Sequence, residues 1–111
     1  MHDGLANTPE PPYWAVIFTS LRAPEEGDGY GTLSDRMVEL ARQQPGFLGV
    51  ESARGADDVG ITVSYWASEE AIRNWKKNSE HLVAQRKGRE GLYAGWWNRI
   101  CKVERAYSFE L

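Results

Sequence analysis

Apolar positions along the chain form four runs that predict strands. Tyr13 to Leu21 is almost continuously apolar, which is typical of a strand covered on both faces. Shorter runs at 47–54 and 60–66 flank a brief polar turn and predict a hairpin. In the last run, 96–109, apolar side chains favour odd positions, which indicates a strand with one apolar face.

Two segments between these runs have the pattern of helices. Residues 30–44 carry an apolar stripe at helical spacing, and Pro45-Gly46 is expected to end that helix. After the third strand, Ser68 is a capping residue followed by two acidic residues, which predicts the start of a second helix.

The second helix raises a question of phase that concerns a histidine. On a continuous helix, His81 lies about 180° around the axis from the apolar Ile72 and faces water. However, Asn78-Ser79 is a poor helix interior and a good cap, so a break there is the alternative. A break would reset the phase and allow His81 and Gln85 to turn inward.

The predicted order is strand, helix, strand, strand, helix, strand over residues 13–111. This is a ferredoxin-like α+β fold, with an antiparallel sheet and both helices on one face. Residues 1–12 are interrupted by three prolines and are predicted to form a flexible N-terminal tail. Because the helices leave the other sheet face bare, we expect a homodimer that forms through the sheet faces.

Composition narrows the class of partner and compartment. The net charge of -3 argues against nucleic acid, and no apolar run approaches the ~18 residues that span a bilayer. The N-terminus lacks the features of a signal peptide. The single Cys101 precludes an intrachain disulfide and suits a cytoplasmic protein. With two histidines and one cysteine, no metal-binding spacing is present.

Positive charge is concentrated in one part of the chain. Residues 1–70 carry 12 acidic and 4 basic side chains, whereas residues 71–111 carry 9 basic and 4 acidic ones. The basic cluster at 73–89 is interpreted either as a solvated helix face or as the positively charged entrance of a cavity that attracts an anionic ligand. Five tryptophans in so small a domain also favour an aromatic wall at an interface or cavity.

From Trp14 to Phe109 the sequence resembles the antibiotic biosynthesis monooxygenase family. The matching stretches are AVIFTSL, QQPGFLGVES, VSYWASEEAIRNWKKNSEHLVAQ and RICKVERAYSF. The resemblance implies a dimeric α+β barrel. It also implies a cofactor-independent monooxygenase, which oxidises a phenol or hydroquinone with O₂ and needs no metal or flavin.

Two alternatives share this fold. A non-catalytic dimer that binds a small apolar ligand is one. Heme-degrading oxygenases are the other, and they resemble this chain at Trp75 on the second helix. Gln85 stands where their iron-ligating His is expected, and the first strand is apolar at Ile17 and Phe18 where they have an Asn. Heme cleavage is therefore disfavoured.

The central stretch supplies most candidate site residues. Trp66 and Trp75 are expected as aromatic walls of a substrate cavity, or else as plain core packing. His81 is the candidate base or hydrogen-bond donor, and Arg86 the candidate partner of a substrate anion. Gln85 is a further candidate for substrate binding.

Glu51 is a lone acid within an apolar strand. A buried carboxylate needs a partner, and Arg99 and Arg105 on the last strand are the candidates. The two interpretations of Glu51 are a structural ion pair and a polar group in the cavity. Tyr65 and Asn98 are lesser candidates for the same site.

Overall fold

The computed structural model describes residues 4–22, 37–85 and 93–111, with the backbone alone at 22, 80–85 and 93–94. The elements in chain order are β1 Tyr13–Arg22, α1 with described residues 37–42, β2 Phe47–Arg54, β3 Val59–Trp66, α2 Glu69–Gln85 and β4 Tyr93–Val103. None of the helices within these ranges is long and apolar enough to cross a membrane.

The four strands form one antiparallel sheet in the order β2-β3-β1-β4. The hairpin β2-β3 lies at one edge, and β1 pairs with both β3 and β4 in the centre. Ala41 of α1 and Ile72 of α2 pack in the same buried cluster with Val16 of β1, so both helices cover one face. The predicted ferredoxin-like α+β fold is therefore confirmed.

Even-numbered and odd-numbered positions of the paired strands point to opposite faces of the sheet. Val16 lies on the side that the helices cover, which we call the helix face. Its register partners Ser64 and Val50 share that face, because side chains directly across a sheet point the same way. Ile17 and Val63 point to the other side, which we call the opposite face.

The end of α1 is joined to the start of α2 by backbone geometry. Gly46 has φ +87°, a left-handed conformation that favours glycine, and a Cβ there would meet the Ala71 Cβ at 2.7 Å. The Ala67 amide donates to the Gly46 carbonyl at 2.8 Å. At the helix start, the Ala71 amide donates to Ser68 Oγ at 3.1 Å, which is the predicted cap.

Helix α2 continues through residue 85 without the break considered at Asn78-Ser79. Both side chains bond to carbonyls in the preceding turn: Asn78 Nδ2 donates to Asn74 O at 3.1 Å, and Ser79 Oγ donates to Lys76 O at 2.9 Å. Helix-breaking side chains are tolerated when they satisfy their polar atoms in this way. The phase of the helix is therefore not reset.

The last strand is shorter than predicted. The run 96–109 suggested a long strand, but β4 ends at Val103. Val103 pairs with Tyr13, the first residue of β1, and beyond that pair β1 offers no further partner. Pro11 and Pro12 precede Tyr13 and lack the amide that would extend the ladder.

The described part of the predicted tail lies against the opposite face. The Ala6 amide donates to Glu51 Oε2 at 3.0 Å, and Thr8 Oγ1 donates to the Tyr13 hydroxyl at 2.9 Å. A Cβ on Gly49 would meet the Ala6 Cβ at 2.9 Å, so the segment sits directly on the strand. Part of the face expected to be bare is therefore covered by the chain itself.

Candidate functional site

A cavity of about 290 Å³ lies on the helix face of the sheet. Its volume is at the small end of ligand pockets, which hold roughly 300–1,000 Å³. All four strands contribute to it, together with residues of α1 and α2. Its apolar lining includes Val16, Phe18, Met37, Val38, Val50 and Trp75.

Polar side chains ring the same cavity. Most of them occupy even-numbered strand positions, which are the positions that point to the helix face. They are Ser20, Ser52, Thr62, Ser64 and Asn98, with Ser79 from α2. Apolar walls with a few convergent polar groups are typical of small-molecule sites, because apolar contact gives affinity and polar contact gives orientation.

Trp75 lines the cavity and also carries an unsatisfied donor. It lines the space, and its Nε1 is buried without a hydrogen-bond partner among the described parts of the chain. An unpaired buried N–H costs about 1–3 kcal/mol. An acceptor would have to reach this buried atom to offset that cost.

Trp66 supports the cavity without lining it. Its side chain is 0% exposed, and its Nε1 donates to Ser64 Oγ at 2.8 Å. Its ring contacts Trp75 with centroids 5.5 Å apart and Phe47 edge-on, also at 5.5 Å. The wall expected from two tryptophans is therefore Trp75 alone, with Trp66 packed behind it.

Arg54 places a positive charge at one end of the cavity, beside the turn between β2 and β3. Its NH1 donates to the Asp58 carbonyl at 2.9 Å, and its NH2 donates to Ser20 Oγ at 3.4 Å. The guanidinium lies over Gly60, where a Cβ would meet it at 2.6 Å. Asp58 itself has φ 68°, which turns the chain back beneath the arginine.

Glu51 and Tyr65 lie on the opposite face, away from the cavity. The Tyr65 hydroxyl donates to Glu51 Oε1 at 2.7 Å. Burial raises the pKa of the Tyr65 phenol above its usual range, and the hydrogen bond to Glu51 and the negative charge of Glu51 raise it further. Both residues line a second space, of about 370 Å³, together with the terminal segments 5–11 and 106–110.

The ion pair considered for Glu51 is not formed. Its partners are the Tyr65 hydroxyl and the Ala6 amide. The register places Val63 and Ile17 between Glu51 and Arg99, so the width of two strands separates the charges. A phenol and a backbone amide satisfy the carboxylate in place of arginine.

Three predicted residues are not tested by this geometry. The side chains of His81 and Gln85 and the whole of Arg86 lie outside what the structure describes. Conversely, Ser20, Arg54 and Gly60 belong to the cavity but were not predicted. Ser20 could have been predicted, because it is a polar residue within the otherwise apolar first strand.

An antiparallel sheet with helices on one face and a cavity on that face defines a ferredoxin-like α+β domain. The model of the antibiotic biosynthesis monooxygenase family matches residues 14–87, more than half of the chain. The chain therefore belongs to this family.

Two relatives are similar to this chain in sequence. The uncharacterized protein YqjZ of Bacillus subtilis is 53% identical over 110 residues, which cover 99% of this chain and 96% of that protein. Jasmonate monooxygenase ABM of Pyricularia oryzae is 26% identical over 92 residues, which cover 81% of this chain and 43% of that protein. This chain thus matches less than half the length of the fungal enzyme.

Solved structures share the fold at low identity. PA3566 from Pseudomonas aeruginosa has a TM-score of 0.67 and 18% identity, over 88% of this chain and 98% of that one. SnoaB, a cofactor-independent oxygenase from Streptomyces nogalater, has a TM-score of 0.61 and 14% identity, over 88% of this chain and 97% of that one. At such identities the likeness concerns the fold alone.

Proposed function

We propose that this protein is a monooxygenase that binds a small, largely apolar aromatic molecule in the helix-face cavity and oxidises it with O₂, without metal or flavin. The observation that carries this proposal is the cavity of about 290 Å³, with apolar walls and convergent polar groups. Family membership supports oxygenation as the chemistry. A related jasmonate monooxygenase and the fold of a cofactor-independent oxygenase are consistent with it.

The expected reaction converts a phenol or hydroquinone-type ring to a quinone. For a phenol, one oxygen atom of O₂ becomes bonded to a ring carbon, and the other leaves as water with the two hydrogens that the phenol loses. Loss of the hydroxyl proton makes the ring electron-rich enough to reduce O₂. The site must therefore exclude water and stabilise negative charge on oxygen.

Trp75 is the described residue best suited to that second task. Trp75 lines the space that the substrate would occupy, and its buried indole N–H has no acceptor in the described chain. Ser64 and Asn98 add polar atoms to the same lining. A donor that is already buried needs no reorganisation when the oxyanion forms, which is the advantage of a preorganised site.

Arg86 remains our proposal for the partner of the substrate anion, and His81 remains our proposal for the base, although the continuous phase of α2 favours a His81 that faces water. They rest on the sequence and on the chemistry that the reaction requires. Gln85 is kept as a neighbouring substrate-binding candidate. We do not propose Glu51 or Tyr65 for this cavity, because their side chains lie on the opposite face.

Oxygen uptake tests this function. Metal-stripped protein is mixed with a simple anthrone, and uptake is compared with a buffer blank and with the variants Trp75→Phe and His81→Ala. Trp97→Phe is the matched control, because Trp97 is 55% exposed on the opposite face. We expect protein-dependent uptake that falls at least about tenfold, or ~1.4 kcal/mol in barrier, in the first two variants. Equal uptake in all variants would remove both residues from the mechanism.

Ligand binding without turnover is the second candidate function. The described residues that line the cavity include no histidine and no carboxylate that could act as a general base. A carrier or sensor needs no base. Saturable binding of the anthrone with no oxygen uptake would favour this function over catalysis.

We also propose that the protein is a homodimer through its opposite face. Four apolar side chains are exposed together at the end of that face not lined by the termini: Leu21 at 37%, Val59 at 37%, Ile61 at 46% and Trp97 at 55%. Contiguous exposed apolar surface of this kind is usually an interface. A second copy that presents the same patch is self-complementary.

A further inference from the structure

We propose that residues 104–109, which follow β4, pack on the opposite face of a second copy of this chain, so that the two copies exchange these segments. We call this segment the arm. Its docking surface, the exposed patch, consists of Leu21, Val59, Ile61 and Trp97. The proposal rests on the homodimer proposed above, and it adds which segment of one copy covers which surface of the other.

The arm has the residue pattern of a strand but no neighbouring strand. Its apolar side chains Tyr107 and Phe109 occupy alternate positions, in phase with Val103 at the end of β4. Within the described ranges, no backbone hydrogen bond joins residues 104–109 to another element. Alternation of this kind is typical of a segment with one buried side. A single copy therefore does not provide the surface that the pattern of the arm requires.

Both aromatic rings of the arm are almost fully exposed, Tyr107 at 88% and Phe109 at 85%. Both also line the second space beside Glu51 and Tyr65, which places the arm on the side of the opposite face. Single exposed apolar residues are ordinary in proteins, but adjoining apolar surface of this size usually marks an interaction site. A copy that approaches the opposite face would contact these rings.

The arm and the exposed patch lie at opposite ends of the opposite face. The arm leaves the sheet where Val103 pairs with Tyr13, whereas Leu21 pairs with Val59 at the other end of β1. A two-fold axis parallel to the sheet and perpendicular to its strands reverses the strand direction in the second copy. Each arm then lies over the patch of the other copy, so both uncovered surfaces are covered at once.

The arm is long enough, and the surface large enough, for this contact. Residues 104–109 span about 20 Å when extended, whereas two packed sheets are about 10 Å apart, so the arm can reach the second sheet. Each aromatic ring buries roughly 150–250 Å². Two arms, together with the patches that they cover, amount to roughly 1,200–2,000 Å², which is the size of a specific protein interface.

Cysteine cross-linking between two versions of the protein tests the exchange directly. In a Cys101→Ser background, one version carries Phe109→Cys, and the other, lengthened by an affinity tag, carries Ile61→Cys. The two are unfolded and refolded together so that their subunits mix, and are then oxidised. Each version has a single cysteine, so every disulfide joins two copies. We expect a disulfide between the two versions, which a non-reducing gel resolves by mass.

The control for the cross-link replaces Phe109→Cys with Asn74→Cys. Asn74 is exposed on α2, on the other side of the sheet from Ile61. This version should form no more disulfide with Ile61→Cys than random collision produces.

Sedimentation equilibrium measures the contribution of the arm to dimer affinity. The double variant Tyr107→Ser with Phe109→Ser is compared with wild type and with the control Glu104→Ser with Ser108→Ala, whose side chains point to the other side of the arm. We expect the Kd of the dimer to rise at least about a hundredfold in the aromatic variant and to stay unchanged in the control.

Three results would overturn the exchange. A wild-type dimer whose Kd the aromatic variant leaves unchanged places the arm outside the interface, and the homodimer through the opposite face survives. Disulfides between two copies of Phe109→Cys, with none to Ile61→Cys, would mean that the arms pair with each other. A wild-type monomer up to about 100 μM overturns the homodimer as well and leaves the patch to a different partner. Oxygen uptake decides the monooxygenase proposal separately.

Discussion

The Tyr65 hydroxyl donates a 2.7 Å hydrogen bond to Glu51 across the β2-β3 ladder, on the face of the sheet that the helices do not cover. The other carboxylate oxygen of Glu51 accepts the Ala6 amide at 3.0 Å. A single side chain therefore connects the centre of the sheet to the N-terminal segment.

This hydrogen bond predicts a loss of stability at high pH. The folded-state pKa of Tyr65 is raised, so its stabilising contribution is fully present below the unfolded value near 10 and is lost as pH rises beyond it. Tyr65→Phe should lower the free energy of unfolding by about 1 kcal/mol at pH 7. As the pH rises above 10, the free energy of unfolding should decrease less in this variant than in wild type. Chemical unfolding of both proteins between pH 7 and about 11.5 measures this; parallel pH profiles would contradict it.

The two central tryptophans should separate stability from ligand binding. Trp66 is fully buried and its indole donates to Ser64, so Trp66→Phe leaves a void and an unpaired hydroxyl. We expect a loss of about 2 kcal/mol in the free energy of unfolding. Trp75→Phe removes an N–H without a partner in the described chain and should cost less than about 1 kcal/mol.

Urea unfolding and ligand titration of these two variants provide the check. Trp75→Phe should weaken ligand binding and leave the free energy of unfolding nearly normal. Trp66→Phe should lower the free energy of unfolding and leave ligand binding nearly normal. The contrast fails if Trp75→Phe is the more destabilised of the two.

Gly46 should be intolerant of a side chain. Gly46→Ala must adopt φ +87° and place a methyl group 2.7 Å from the Ala71 Cβ. Left-handed backbone alone costs about 1–2 kcal/mol, and the clash would push α2 from the end of α1. Thermal unfolding should show a clear decrease in Tm for this variant. Gly95→Ala is the control, since its nearest contact is a Trp97 ring atom at 3.4 Å.

The exposed patch on the opposite face predicts the oligomeric state. Light scattering after size exclusion should give the mass of a dimer for wild type and of a monomer for Ile61→Lys, because a charge at a 46% exposed apolar position opposes burial in an interface. Asn74→Lys adds the same charge on an exposed helix position and should remain dimeric. A monomeric wild type would exclude the proposed interface.

The regular elements were predictable because they depend on local pattern. The bounds predicted for β2, 47–54, are those observed, and the Ser68 cap is confirmed, whereas α1 ends at residue 42, two residues before the predicted end at 44. The end of β4 was not predictable, since it depends on where its neighbour β1 begins. Alternation of apolar residues continues past Val103, but a strand also needs a partner.

The site was predictable only in part. Trp75 and Asn98 were candidates and line the cavity. Tyr65 and Trp66 were assigned to one site although they are neighbours in a strand, and neighbours point to opposite faces. Arg54 could not be predicted, because its position depends on Gly60 of the adjacent strand and therefore on the register of the sheet.

The division of the strands into even and odd positions limits how the length of this chain can vary. An insertion or deletion of one residue inside β1 would exchange Ser20 for a neighbour and move every later side chain of the strand to the other face. The irregularity between Phe47 and Gly49 demonstrates the effect, since odd-numbered Phe47 packs against Trp66 on the helix face. Changes of length that preserve the cavity should therefore be confined to the connections between strands.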